Sequence, residues 1–344
     1  MKKVIYINYM NQYGHVTFDK IHIQALQSQG FDVKLVMHHD IAKQMQLSKD
    51  CYALILPKWM GKESKNSLMN RTLYIITLLY IKYKITFVQY DYCVVSNIDE
   101  ITMGLLPLTK GMFLFCHGSC RGLYNSIKRY FLRKLSKKNT FLVFNKEMSS
   151  VFFKNKMTNV KVISHGCTVP FNKVSISGWE NELKAYKHII FHPSSKTENG
   201  FIAEIYNKKY NKILQENDTL LLLRNNPMEE KGFSNIKFIN TRLSKEDYDY
   251  IFLKADIILF VYPKSFHLQV SGVSFECIAN HKKILAMRND SLEYCKEFYN
   301  YDPFFKDCKE LIQKILLLNK DKSLKPIVDR GDLTPNYKTI LTNN

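Results

Sequence analysis

The clearest chemistry in the chain lies between residues 255 and 286, ADIILFVYPKSFHLQVSGVSFECIANHKKILA. An apolar strand runs into an irregular loop, small residues open a helix, and a second apolar strand follows. That order puts a helix N-terminus at the end of a parallel strand. The backbone N–H groups of Ser271, Gly272 and Val273 would stand unpaired there, and the helix dipole favours a phosphate. Glu276 falls in the first turn on this reading. A carboxylate beside a phosphate is electrostatically unhelpful unless it holds something else, and the ribose hydroxyls of a nucleotide suit it. The competing role for Glu276 is stabilisation of the helix N-terminus.

The elements that must position these residues follow from the apolar pattern. VIYINYM, FDVKLVMH, CYALILP, KITFVQYDY, MFLFCHG and TFLVFN read as strands in the first half, with a helix from about Phe18 to Gln29 closed by Gly30. HIIFHP, TLLLLRN, IKFIN, DIILFVYP and KILAMR repeat the pattern in the second half, with helices from about 203 to 214 and 245 to 254. Short apolar strands alternating with helices predict an α/β fold of two Rossmann-like, doubly wound parallel sheets. The boundaries expected are 1–168 for the first domain, 169–186 for a linker, 187–325 for the second domain, and 326–344 for a segment packing back on the first. SLMNRTLYIITLLYIKYKITFVQYDY is too interrupted to span a bilayer and reads as a buried helix followed by a strand.

Length supports this division, since 344 residues exceed one ordinary core. The eight cysteines lack the spacing of a zinc or redox motif, and MKKVIYINYM runs directly into polar NQYGH, so reduced cytosolic thiols and no signal peptide are expected. Charge is uneven. Residues 1–165 hold 24 Lys and Arg against 9 Asp and Glu, and the remainder holds 26 against 22. A basic first half implies an anionic partner, with nucleic acid, membrane and phosphorylated substrates all open.

Most of the chain resembles the GT-B glycosyltransferases, particularly bacterial nucleotide-sugar-dependent enzymes of surface polysaccharide synthesis (group 1, family 4-like). NQYGHVTFDKIHIQALQSQGFDVKLV is similar to the acceptor-side loop, first helix and second strand. FNKEMSSVFFKNKMTNVKVISHGCTVPF resembles the crossing into the donor domain, IKFINTRLSKEDYDYIFLKADIILFVYP the segment before the donor site, and SGVSFECIANHKKILA the donor-site helix and strand. The resemblance implies a nucleotide-sugar donor, an active site in a cleft between two domains, diphosphate binding by the amides from Ser271 onward, and ribose binding by Glu276. Leu268 stands where many retaining members carry a further glutamate, eight positions before Glu276.

Transfer from such a donor leaves negative charge on the diphosphate, which cations must stabilise. Lys196, in HPSSKTENG, and Arg224, ending TLLLLR, follow strands and are the catalytic candidates; the alternative is that both are solvated loop charges. Lys264 and His267 precede the donor helix and could add contacts. His117 follows MFLFC, and the resemblance implies contact with the donor sugar. Gly14 and His15 in the first loop, and Asp91 after KITFVQY, are acceptor-side candidates, His15 as a possible base or a structural residue. His165 and His192 carry no assigned role. No metal ion and no cofactor beyond the donor substrate are expected.

RGLYNSIKRYFLRKLSKKN, residues 121–139, has seven Lys or Arg and no acid, with Leu123, Ile127, Tyr130, Phe131 and Leu135 at helical spacing. The apolar side is expected to pack on its own sheet. Lys128, Arg129, Arg133 and Lys134 on the basic side could be solvated or could rest on anionic lipid, which would suit a polyprenyl-linked acceptor and a peripheral position on the inner face of the cell membrane. A protein-linked acceptor, a non-catalytic GT-B-fold partner and a nucleic-acid-binding protein are the competing readings; no RNA or DNA module is recognisable, and nucleic acid is not an expected partner.

Overall fold

A computed structural model describes residues 1–10, 15–62, 64–172, 177–194, 196–224, 232–241 and 243–342. Two compact units divide the chain. The first comprises residues 1–166, 268–270 and 333–344, and the second residues 167–267 and 271–332.

The first unit runs β1 (Lys3–Asn8), α1 (Val16–Ser28), β2 (Asp32–His38), α2 (His39–Met45), β3 (Tyr52–Leu56), α3 (Ser67–Ile85), β4 (Tyr92–Val95), α4 (Glu100–Leu105), β5 (Phe113–Phe115), α5 (Ser126–Ser136), β6 (Thr140–Val143), α6 (Lys146–Lys154) and β7 (Val160–Val162). Its seven strands are all parallel in the order β3-β2-β1-β4-β5-β6-β7. The second unit runs α7 (Glu180–Lys184), β8 (His188–His192), α8 (Asn199–Ile205), α9 (Lys208–Glu216), β9 (Thr219–Arg224), β10 (Ile236–Ile239), α10 (Lys245–Lys254), β11 (Ile257–Phe260), α11 (Gly272–Ala279), β12 (Lys283–Met287), β13 (Phe304–Phe305) and α12 (Cys308–Lys320). Its six parallel strands repeat the plan, β10-β9-β8-β11-β12-β13. In each sheet the order reverses direction beside the first strand, at β1/β4 and at β8/β11. Ligands of open α/β sheets bind at the carboxyl ends of the strands flanking such a switch point.

Local chemistry explains where the helices start. Asn125, Asn145, Asn207, Ser244 and Asp307 each accept a bond from an amide in the first turn of the helix they precede. The Asn207 cap splits the helix expected over 203–214 into α8 and α9. Gly30, at φ 88°, ends α1 in the left-handed conformation that costs glycine little.

A last helix, α13 (Tyr337–Thr342), returns to the first unit. The Gln29 amide donates to the Pro335 carbonyl at 2.7 Å and accepts from the Tyr337 amide at 2.7 Å. Ser164 Oγ donates to the Leu333 carbonyl at 2.6 Å, and Lys161 Nζ to that of Ile340 at 2.8 Å. Gly166, at φ 79°, lies where an added Cβ would strike Ile21 and Pro335.

Three local expectations are corrected. KITFVQYDY is not one strand: α3 continues through Ile85, and the strand begins only at Tyr92. Nor is α3 a buried helix, because it buries Thr77, Leu78, Ile81 and Ile85 on one side and leaves Leu68, Met69, Ile76, Leu79 and Tyr83 between 42% and 69% exposed on another. In α5 the packed residues are Leu132 and Leu135, whereas Ile127 and Tyr130 are 59% and 65% exposed.

Candidate functional site

In the first unit the residues after β1, β4 and β5 line a cavity of about 430 Å³. It is bounded by Met10 and His15, by Asn97, Asp99 and Glu100, by His117, Ser119 and Arg121, and by Lys128 and Gln269. The ends of β1 and β4 flank the switch point and β5 lies next to β4, which is why loops so far apart in sequence converge.

His15 and His117 sit edge to face with ring centroids 4.3 Å apart. His117 is wedged against Phe18 at 4.3 Å and Phe144 at 4.9 Å. The backbone carbonyl of Ser96 holds its Nδ1–H, and its buried Nε2 has no hydrogen-bond partner among the described residues; the same is true of His15 Nδ1. Burial pushes the His15 imidazole down to about 4 and holds His117 well below the ordinary histidine value, so both rings are neutral at pH 7. His117 therefore presents a lone pair at Nε2, suited to accepting a bond from a hydroxyl.

The charged groups around the cavity are already engaged. Asp99 caps α4 through the Thr102 amide at 2.9 Å and pairs with Arg71 at 3.5 Å. Glu100 pairs with Lys128 at 3.1 Å. Arg121 faces Gln269, which with its amide oxygen turned inward accepts at 2.9–3.0 Å. Behind the cavity, buried Asp19 accepts from Tyr6 Oη at 2.8 Å, Asn8 Nδ2 at 2.6 Å and Ser96 Oγ at 2.6 Å, and burial still raises its carboxyl to about 6. His22 and His165 complete the cluster. His22 donates from Nε2 to the His165 carbonyl at 3.2 Å and accepts at Nδ1 from Tyr337 Oη at 2.7 Å. Burial lowers both rings, His165 to about 4.

In the second unit, α11 starts twelve residues beyond the end of β11, and Ser271 is its N-cap. The Ser271 amide is not open to a ligand: it donates to Tyr294 Oη at 3.2 Å, and Ser271 Oγ bonds Tyr262 Oη at 2.8 Å. The amides of Gly272 and Val273 occupy the first turn, where a helix offers no carbonyl to receive them. A Cβ at Gly272 would meet nothing within 4 Å. Glu276 lies beyond the first turn, not in it, because the helix begins at Gly272. It is half-buried and accepts from Tyr248 Oη at 2.9 Å through one oxygen, and burial pushes its carboxyl up.

Around this helix the remaining candidates divide. Lys196 is exposed in the loop after β8, a loop held by His192, which donates from Nδ1 to the Leu259 carbonyl at 2.8 Å and accepts at Nε2 from Thr197 Oγ1 at 2.9 Å. Arg224 donates to the Pro193 carbonyl at 3.1 Å, which also braces that loop. Lys264 is exposed and His267 half-buried. Leu268 belongs to the hydrophobic core of the first unit at φ 52°, so the side chain where the resemblance looks for a glutamate is packed with apolar neighbours.

Gly14 lies outside the described residues. Asp91 is corrected: it precedes β4 and accepts from the Lys3 amide at 2.7 Å, at the start of β1. That is the amino end of a parallel sheet, opposite the cavity. Arg129 donates to the Leu123 carbonyl and Arg133 to that of Asn155, both at 3.3 Å, while Lys134 is exposed. Asn97, Asp99, Arg121 and Gln269 line the cavity without having been singled out from the sequence. For Asn97 and Asp99 the signal was present, as polar residues directly after an apolar strand. Among the described residues, no group of three or more His, Cys, Asp or Glu is placed to hold a metal ion.

Two parallel sheets of this strand order, each with its loops gathered at the switch point, define a protein of the GT-B fold. Comparison with solved structures agrees. Sucrose-phosphate synthase from Thermosynechococcus elongatus matches with a TM-score of 0.60 at 12% identity, covering 99% of this chain and 97% of its own. Anabaena Alr3699/HepE in complex with UDP-glucose matches at 0.58 and 11% identity, over 99% and 95%. A UDP-N-acetylglucosamine 2-epimerase matches at 0.57 and 10%, over 97% and 90%. No family model and no curated protein sequence matches the chain.

Proposed function

We propose that the chain is a glycosyltransferase that moves a sugar from a nucleotide-sugar donor to a lipid-linked glycan acceptor in cell-surface polysaccharide synthesis, without a metal ion and with retention of configuration. One observation carries the donor half: α11 opens after β11, beside the switch point, with the Gly272 and Val273 amides in its first turn and Glu276 behind them, steadied by Tyr248. The amides suit a diphosphate and the carboxylate suits ribose hydroxyls. Lys196, exposed after β8, is the cation for the charge that develops on the leaving diphosphate.

The acceptor half rests on the first unit. Its cavity is large enough for a sugar ring, and His117 Nε2 and His15 Nδ1 are buried and have no hydrogen-bond partner among the described residues. Retention is supported by what these groups are poor at. An inverting displacement needs a base for the attacking hydroxyl, while both rings are held far below the pKa range useful at neutral pH and Asp99 and Glu100 are paired. The basic face of α5 suits an anionic membrane carrying the acceptor.

The test is a thermal-shift screen of UDP, GDP, CMP and dTDP with their sugars, followed by transfer to a polyprenyl-diphosphate glycan and NMR of the new linkage. Ligand at 100 times its dissociation constant adds about 2.7 kcal/mol. One nucleotide class should stabilise the protein and lose its effect in Glu276→Ala; transfer should fall in Lys196→Ala with nucleotide binding retained. No shift with any nucleotide overturns the proposal. Nucleotide release with sugar epimerisation and no transfer would put the chain with the epimerase that shares its fold.

A further inference from the structure

The exposed apolar side of α3 has no use in the chemistry above. On a helix of 3.6 residues per turn, Leu68, Ile76, Leu79 and Tyr83 fall with Met69 within an arc of about 100°. All are at least 42% exposed, while Leu78, Ile81 and Ile85 on the far side are buried. A helix apolar on both sides has one side turned to something other than water.

Charge identifies what that is. α3 contains Arg71, Lys82 and Lys84 and no acidic residue, and the Lys84 ammonium sits over the Tyr80 and Tyr83 rings at 5.7 and 5.6 Å. α3 packs against α4 and α4 against α5, so these helices form one contiguous layer. The acids of this layer, Asp99 and Glu100, pair with Arg71 and Lys128, and α5 carries Arg129, Arg133 and Lys134 besides, with no acid of its own. α5 adds exposed Ile127 and Tyr130 to its cations. A second copy meeting this face about a two-fold axis would oppose cation to cation. An anionic bilayer offers negative headgroups for the lysines and arginines and an acyl boundary for the apolar stripe. No described helix is long and apolar enough to cross a membrane, which leaves α3 lying along the surface.

We infer that α3 inserts its exposed stripe into the headgroup and acyl boundary of an anionic bilayer, so that the protein is held by apolar burial as well as by charge. This rests on the membrane contact proposed for α5 and is independent of the transfer reaction.

The full chain should float with vesicles of phosphatidylcholine containing about 30% phosphatidylglycerol and much less with phosphatidylcholine alone. Leu79→Ser/Tyr83→Ser, at exposed positions that should leave the melting temperature unchanged, is expected to lower partitioning by about tenfold or more. Leu79→Trp in a Trp59→Phe, Trp179→Phe background should be quenched by brominated acyl chains. If Arg133→Glu/Lys134→Glu abolishes flotation and the serine variant does not, membrane contact stands and insertion by α3 is overturned. Absence of flotation, with self-association lost in the serine variant, overturns it in favour of a second copy.

Discussion

Lowering the pH from 7.5 to 5.0 should destabilise the first unit through its buried histidines. His15 and His165 are held at about 4 by burial, against an ordinary 6.5. A group whose pKa is lowered on folding contributes stability that is complete above its unfolded pKa and is lost as pH falls toward the folded one. At pH 5.0 the unfolded imidazoles are almost fully protonated and the folded ones are not, so linkage makes each ring cost about 2 kcal/mol relative to pH 7.5. His22 and His117 shift in the same direction for the same reason. Asp19 works against them: raised to about 6, it takes up its proton in the folded state and returns about 1.4 kcal/mol at pH 5.0. The net loss is a large fraction of a domain's usual stability of about 5–15 kcal/mol. Urea unfolding followed by the fluorescence of Trp59, with Trp179→Phe removing the signal of the second unit, measures it. His15→Gln and His165→Gln should each remove about 2 kcal/mol of the difference between the two pH values. Equal stability at pH 7.5 and 5.0, or a pH dependence untouched by both variants, would refute the assignment of neutral buried rings.

Gly272→Ala should leave the melting temperature unchanged, since its Cβ meets open space, yet weaken nucleotide binding by blocking close approach of a diphosphate; scanning calorimetry reads the first and calorimetric titration the second. Tyr248→Phe should weaken binding by about tenfold, the worth of a bond to a charged group, by freeing the Glu276 carboxylate to swing. Gly166→Ala should lower stability by about 2–3 kcal/mol or more in denaturant titration, because its φ is 79° and the new methyl strikes Ile21.

Much of the fold was legible because both sheets are made of short, continuous apolar runs, and a strand buried on two faces leaves that trace. What failed has a common origin. In α3 and α5 apolar residues occupy more than one side, and periodicity reports that a face is apolar without saying which face the sheet will take; Leu132 and Leu135 won over Ile127 and Tyr130. Asp91 was misplaced because the apolar run before it belongs to a helix end, so the residue opens a strand instead of closing one. The place of His117 after β5 could be read from its strand. The meeting of Arg121 with Gln269 could not, since the partners are separated by well over a hundred residues and nothing local in either segment encodes the other.

The return of α13 to the first unit orders events during synthesis. Tyr337, whose hydroxyl completes the hydrogen bonds of His22, leaves the ribosome only after every residue of the second unit has been made. Until then the nascent first unit carries an open slot beside α1, with the Gln29 amide and His22 Nδ1 lacking the partners they have in the finished protein. The first half to be translated is therefore the last to be completed, its final packing waiting on a segment that follows the whole of the second unit.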